Sequence, residues 1–346
     1  MFRFLIVLIV FLVALGGGWY AAEGYLAREA RAALAGNPAI SVTEIAELRD
    51  PRRIGLRLTE PTFEAGAAQV SAPAVELFAR FSAPTTLEAD LPPTLAIRPE
   101  GAAETLALGL SDARARARVS PLHELQVTRA DLSSGAMTLD QAPLASALSA
   151  VLQLTALSHD SPKAARAAYD LDLGLAELDL RTLPQLATAV LPEGRLTLSS
   201  KGRLWLSSAI SVTGGDAPPA LVGLRIDDTQ LTLGALKVKA LGRIQRDANG
   251  LSEGELMLYT ADLDPLLAFA VSTGAISSKS VPLIKTVLTS LSKATPDPVL
   301  AANGAEPAAP AYPAATAGEI RLPLIFTGGK MMLGPLGLGP APRFPG

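Results

Sequence analysis

The stretch GLSEG, Gly250 to Gly254, has the G-x-S-x-G spacing of a hydrolase nucleophile elbow, in which Ser252 would attack a carbonyl. Such an elbow needs a strand before it, a helix after it and a histidine later in the chain. Here the next residues, ELMLY, alternate like a strand, and both histidines, His123 and His159, lie upstream. A turn entering a strand is the expected structure. The carboxylate pairs Asp170/Asp172 and Asp227/Asp228 suggest acid–base work or calcium, but neither sits in a loop with calcium-ligand spacing. Surface charge is their expected role. Two histidines, each with one adjacent acid, do not make a multi-histidine metal centre within one chain. The absence of cysteine removes thiol nucleophiles, disulfides and thiolate-held metals. No catalytic residue, cofactor or metal is expected, and the chain reads as a non-enzyme.

Two further features could bind anions. DARARARVS puts Arg114, Arg116 and Arg118 on one face of a strand and alanines on the other, with successive arginines ~6.8 Å apart. Guanidinium groups in such a row are candidate contacts for anionic lipid headgroups or phosphates. The competing reading is a solvated face paired to acids on neighbouring strands. The tail LPLIFTGGKMMLGPLGLGPAPRFPG carries Gly334, Gly337 and Gly339, but a dinucleotide loop must open a helix, and Pro335, Pro340, Pro342 and Pro345 prevent one. The glycines are expected to punctuate the end of a sheet.

The elements that would position these residues come from composition and pattern. A composition 49% hydrophobic and 18% charged can bury a sizeable core, while only 5% aromatic residues argue against a base-stacking surface. Net charge is −3, from 30 Lys plus Arg against 33 Asp plus Glu, so nucleic acid is not an expected partner.

Residues 4–22, FLIVLIVFLVALGGGWYAA, carry no charge and as a helix would span ~28 Å, close to a bilayer's hydrocarbon core. Arg3 precedes this stretch, and Trp19 with Tyr20 falls at its far edge, the pattern of an N-in anchor with interfacial aromatics. A cleaved signal peptide competes, because residues 4–15 are short and Gly16 to Gly18 are small. Either reading exports the rest. Residues 1–22 are thus expected to be anchor or signal peptide, and 23–36 a juxtamembrane helix with Leu26, Ala30 and Leu34 as its stripe, capped at Gly36.

From residue 37 to about 140, short alternating segments separated by Pro, Gly and Asp suggest antiparallel strands with one buried face. APLASALSAVLQLTAL, residues 142–157, is expected to be an amphipathic helix with Leu144, Leu148, Val151, Leu152 and Thr155 on one stripe. In YDLDLGLAELDL the acids change parity, which predicts a bulge at Gly174. A short helix is expected at 183–190. RLTLSSKGRLWLS reads as two strands around an SSKG hairpin, with leucines on the greasy side and Arg195, Thr197, Arg203 and Trp205 on the wet side. Asn249-Gly250 marks a further turn, and LDPLLAFAVSTG and SVPLIKTVLTSLSKA read as helices. An Ala/Pro-rich linker is expected at 301–318, and a hairpin at 319–346 turning on Gly328-Gly329, with Phe326 opposite Met331 and Leu324 opposite Leu333. The expected fold is α+β, mainly β: long curved antiparallel sheets with a few packing helices, forming a β-rich domain over 37–300 behind an N-terminal transmembrane helix.

LRDPRRIGLRLTEPTFEAGAAQVSAPAVELFARF, GLRIDDTQLTLGALKVKALGRIQRDANGLSEGELMLYTADLDPLL and GEIRLPLIFTGGKMMLGPLGLGPAP together resemble domain-of-unknown-function family 2125, a group of bacterial envelope proteins. The likeness runs over nearly the whole chain and brings no catalytic residues with it. More broadly the sequence is similar to AsmA-like envelope proteins, whose anchored curved sheets are associated with envelope integrity and lipid handling. The resemblance implies a single-pass inner-membrane protein with its main domain in the periplasm, holding lipid or another apolar component in a sheet groove. The alternative is a structural protein that engages envelope partners through its surface and sheet edges.

Overall fold

The computed structural model describes residues 23–32, 40–65, 68–102, 104–123, 125–184, 193–211, 219–272, 277–282, 284–286, 288, 312–316, 318–334 and 336–345. The proposed membrane segment, most of the helix expected at 183–190, and the greater part of the Ala/Pro-rich linker lie outside these residues. The chain forms two compact units. One comprises residues 1–143, 147–149 and 210–218; the other comprises 144–146, 150–209 and 219–346.

The first unit is built from β-hairpins that alternate between two antiparallel sheets. One sheet orders β2 (Glu44–Glu47), β3 (Arg53–Thr59), β6 (Ala74–Arg80), β7 (Ala83–Asp90), β10 (Arg114–Ser120) and β11 (Gln126–Ser134). The other orders β1 (Ile40–Ser41), β4 (Thr62–Ala65), β5 (Ala68–Ser71), β8 (Thr94–Pro99), β9 (Leu106–Leu110) and β12 (Met137–Leu139). Four changes of sheet fall where a ladder cannot continue: Glu60 at φ 49° before Pro61, Pro73, Pro92-Pro93, and Asp112 at φ 51°. Two crossovers are tied together, Glu60 N–H donating to Pro73 O at 3.0 Å and Ala72 N–H to Pro61 O at 3.1 Å.

Helix α1, residues 23–32, lies on the β2–β3 pair. Its buried contact is Ala27, packed on Ile45 and Leu58, whereas Leu26 is 40% exposed. Of the expected stripe, Ala30 packs against this cluster, while Ala27 takes the place of Leu26. The small Ala27 side chain lets the helix come close to the sheet, and Glu23, one turn earlier, supplies polar contacts that a leucine could not.

The second unit is an antiparallel meander of β15 (Ala167–Leu178), β16 (Leu196–Leu206), β17 (Leu221–Leu233), β18 (Leu236–Arg246), β19 (Ser252–Thr260), β20 (Ile320–Thr327), β21 (Lys330–Leu333) and β22 (Leu336–Pro340). Helix α2 (Leu263–Ser272) and helical residues between 281 and 288, α3, cover one end of it. Leu263 and Leu267 of α2 pack with Ile284 and Leu288 of α3 on Leu322, which is fully buried. The terminal hairpin has the expected register, Phe326 opposite Met331 and Leu324 opposite Leu333, and the glycine-rich tail is the last strand of the sheet.

Three expectations are corrected. Residues 142–157 are not a helix but β13 (Ala142–Ala145) and β14 (Ala147–Thr155), whose residues are divided between the two units. The same segment carries Leu148, Ala150, Leu152 and Leu154 at period two, opposite the polar Ser149, Gln153 and Thr155, so its pattern fits both elements. Tertiary pairing decided for the strand: Ser146 N–H donates to Ala176 O at 2.9 Å and Asp179 N–H to Leu144 O at 2.7 Å.

SSKG is not a hairpin but the middle of β16, paired on both sides. The parity of Leu196, Leu198, Leu204 and Leu206 is unbroken across it, as one continuous strand requires. Gly202 belongs there because a Cβ would lie 2.2 Å from Arg225 O. The bulge in β15 is real but falls between Leu175 and Leu178, where Glu177 adopts φ 53°; Gly174 stays in register opposite Ser199.

Candidate functional site

Ser252 is a strand residue, 4% exposed, whose N–H donates to Pro342 O at 2.9 Å. Before it, Asp247 Oδ1 accepts from Asn249 N–H at 2.8 Å and Leu251 N–H at 2.7 Å, closing the Asn249-Gly250 turn. Ser252 opens a strand and not a helix, so the elbow geometry is not formed. His123 and His159 are both exposed, His123 Nδ1 lying 2.9 Å from Ser120 Oγ. Among the described residues no group of three metal-ligating side chains comes together.

Arg114, Arg116 and Arg118 stand on one face of β10 as expected, exposed and alternating with partly buried alanines. Cross-strand register places Arg114 between Asp90 and Ser133, Arg116 between Glu88 and Asp131, and Arg118 between Thr86 and Arg129. Arg116 pairs with Glu88 at 3.7 Å. Asp131 is held by Arg129 at 2.6 Å. Among the described residues Arg114 and Arg118 have no ion pair. The row continues on β3 and β6, where Arg53 binds Asp50, Glu76 and Asp90 at 2.6, 3.0 and 3.2 Å and stacks 4.4 Å over Phe78. These pairs range from exposed to partly buried, and they favour the strand neighbours that bring opposite charges together.

The opposite face of the same sheet is apolar and only partly covered. Leu56, Leu77, Ala89, Ala115 and Leu132 form one row across five strands, with Leu77 and Leu132 each 40% exposed. Ile54, Ala79, Leu87, Ala117 and Ala130 form the next, and of these only Ala79 is buried. On the companion sheet Val70, Ile97 and Leu106 make a row in which every side chain is half-buried. A cleft of 530 Å³ beside this sheet is lined by Thr62, Ser71, Ala96 and Ala107, which share the other face, together with Glu60 and Pro73. That cleft is open, and its lining, which also includes Leu95 and Leu106, is mostly apolar; the leucine rows present the longer run of aliphatic side chains.

The second unit repeats the theme on its own sheet. Leu175, Leu198, Leu231 and Val238 make a cross-strand row, and all four are half-buried. Ser200 Oγ and Thr229 Oγ1 share a hydrogen bond of 2.5 Å within the neighbouring row, so these two hydroxyls satisfy one another.

On the reverse side a loop is tethered by charge. Arg225 donates to Asp160 Oδ2 at 2.7 Å and Asp227 Oδ1 at 2.8 Å; Arg203 donates to Asp170 Oδ1 at 2.7 Å. Ser158 donates to Asp160 as well. The Ser158 hydroxyl, with the Arg225 guanidinium, holds the Asp160 carboxyl below its ordinary value against the opposing effect of burial. A carboxylate with a depressed folded pKa contributes stability above its unfolded pKa, and that stability is lost as pH falls through the folded value. Amide exchange in 158–165 is therefore expected to accelerate selectively below about pH 4, and Asp160→Asn to abolish that pH dependence.

Trp205 sits under this loop, fully buried with Ala165, Ala168 and Val222, with the Arg243 guanidinium 5.1 Å from its ring. Among the described residues its buried Nε1 has no hydrogen-bond partner, nor does Asp228 Oδ1. Sequence parity puts Trp205 on the wet side. The Pro162 side of the loop makes that side dry, and a large aromatic among charges was the available signal.

The end of the Ala/Pro-rich segment is not free. Tyr259 Oη donates to Pro313 O at 2.6 Å, and burial, with the nearby Glu255 carboxylate, pushes the Tyr312 phenol up to about 12. Burial also raises the Glu255 carboxyl, opposed by Arg321. Residues 312–316 thus close over β19.

No helix among the described residues is long and apolar enough to cross a membrane, which says nothing of strands. No curated protein matches the chain, and no solved structure does. A family model described as "Uncharacterized protein conserved in bacteria (DUF2125)" matches residues 19–342. With nearly the whole chain spanned, including both sheets of leucine rows and the terminal hairpin, the protein belongs to the DUF2125 family of bacterial proteins.

Proposed function

We propose that the chain is a non-enzymatic, single-pass envelope protein, anchored in the bacterial inner membrane by residues 4–22. Its β-rich units then lie in the periplasm and hold lipid or another apolar component along their sheets. The observation that carries this reading is the set of leucine rows left half-buried in the middle of each unit, while the residues at the ends of the first unit, such as Leu58, Val75, Val127 and Leu139, are buried. An apolar surface left part-covered in this way suits a chain-like apolar ligand.

The test is binding of a radiolabelled phospholipid to delipidated full-length chain in detergent. Each leucine that buries its side chain on a ligand contributes about 1.5–3 kcal/mol, so Leu77→Glu with Leu132→Glu is expected to weaken binding by about tenfold or more. Unchanged binding by a folded double variant sinks the groove reading.

The second reading, a structural protein acting through its surface and sheet edges, draws on the charged face around Arg114 and Arg118. Its edges are less suited to pairing: β22 carries Gly337, Gly339 and Pro340, and proline offers no donor. Photocrosslinking from position 77 in cells separates the two, giving lipid adducts for the first and protein adducts for the second.

A further inference from the structure

One end of the first unit's charged sheet collects features that are scattered elsewhere. β2 turns into β3 through residues 49–52, β6 into β7 through 81–82, and β10 into β11 through 121–125. Register puts all three turns at the same end: Arg53 lies opposite Arg80, and Thr86 opposite Arg118, two residues before β10 finishes. Helix α1 starts at that end too. The Glu23 carboxylate accepts from Arg49 N–H at 3.2 Å and Gly55 N–H at 3.1 Å, and α1 then runs away along the sheet to Ala27, beside Ile45 and Leu58. The chain that precedes Glu23 is therefore attached to the domain at this end.

The exposed apolar side chains concentrate in the same place. Of seven large hydrophobic residues exposed among those described, Tyr25 (56%), Leu26 (40%), Phe81 (54%) and Leu122 (90%) sit on α1's first turn or on these turn tips. Adjacent turns along a sheet end are separated by about 10 Å, two strand spacings, so Phe81 and Leu122 form a short line and not one patch. Arg52 and Arg118 flank them, both exposed. Apolar tips beside guanidinium groups, next to the exit of an apolar segment, match a bilayer interface, where rings and leucine side chains enter the acyl boundary and cations meet anionic headgroups.

We infer that this end of the first unit is a membrane-contact surface: Phe81 and Leu122 dip into the bilayer that the anchor enters, and Arg52 and Arg118 meet anionic lipid headgroups. The inference rests on the anchor reading above. It gives the strands a direction, running outward from the bilayer, and sets the row through Ile54 and Leu87 nearer the lipid surface than the row through Leu56 and Leu77.

The absence of cysteine makes the test clean. Full-length Phe81→Cys, Leu122→Cys and Ser133→Cys chains, each labelled with an environment-sensitive fluorophore, are reconstituted into vesicles of equal phosphatidylcholine and phosphatidylglycerol. Ser133 is exposed at the far end of β11 and serves as the control. Doxyl-labelled lipid is expected to quench positions 81 and 122 strongly and position 133 hardly at all, with less quenching at 122 when Arg118→Gln is added. A chain that floats with the vesicles while labels at 81 and 122 stay unquenched overturns the contact surface and leaves the anchor standing. A chain that does not float overturns both. Equal quenching at 133 also overturns the proposal, because the sheet would then lie flat on the membrane.

Discussion

Trp205→Ala is expected to destabilise the second unit by about 3–5 kcal/mol, the range for removing a large aromatic from a packed interior. Trp205 is 0% exposed and is the contact on which Ala165, Ala168 and Val222 converge. Gly223, its cross-strand neighbour, has no space for a side chain, a Cβ lying 2.8 Å from Pro162 Cγ and 2.9 Å from the Trp205 ring, so the loop is unable to collapse sideways into the vacated volume. Trp205→Phe should cost far less. It leaves a smaller void and removes a buried indole N–H that has no partner among the described residues, a group whose burial itself costs about 1–3 kcal/mol. Denaturant unfolding followed by far-ultraviolet circular dichroism checks both substitutions. A loss below about 1 kcal/mol for the alanine variant would mean the loop does not close over the ring.

The second large effect concerns the joint between α1 and the first unit. Glu23 is wholly buried, and its two carboxylate oxygens serve the Arg49 and Gly55 amides while the Arg49 guanidinium lies 3.9 Å away. Glu23→Ala leaves two backbone donors without their acceptor at about 1–3 kcal/mol each, so a loss of about 2–6 kcal/mol is expected, concentrated in α1 and the β2–β3 turn. Glu23→Gln keeps one acceptor oxygen and should fall between. Hydrogen exchange at the Gly55 amide reads the effect directly. If that amide stays as protected in Glu23→Ala as in the parent, the carboxylate does not hold the joint. The membrane-contact proposal depends on this joint being stiff, since a loose α1 would let the sheet end tilt away from the bilayer.

Where pattern alone is decisive, sequence and structure agree. Arg114, Arg116 and Arg118 alternate with alanines at period two, and a strand is the only element that segregates them, so the charged face was legible before any pairing was known. Gly328-Gly329 between two apolar runs admits one register, and that register is found. Gly334 to Gly339 among prolines has no way to open a helix, and the tail is a strand. These are local arguments, settled by steric limits and side-chain parity.

What the tertiary structure decided was everything that depends on a partner. Residues 147–155 satisfy helical and strand periodicities together, and a strand results because neighbouring strands supply the hydrogen bonds. Trp205 shares its parity with Arg203, but the loop folded over that side reversed its environment from wet to dry. Glu23 looks like the first polar residue after a membrane segment, and only the Gly55 and Arg49 amides make it a buried clamp. The alternation of hairpins between two sheets, and the single end at which Phe81, Leu122 and the start of α1 meet, arise from strand order. Strand order is long-range, set by which surfaces fit together and not by any one segment's preferences.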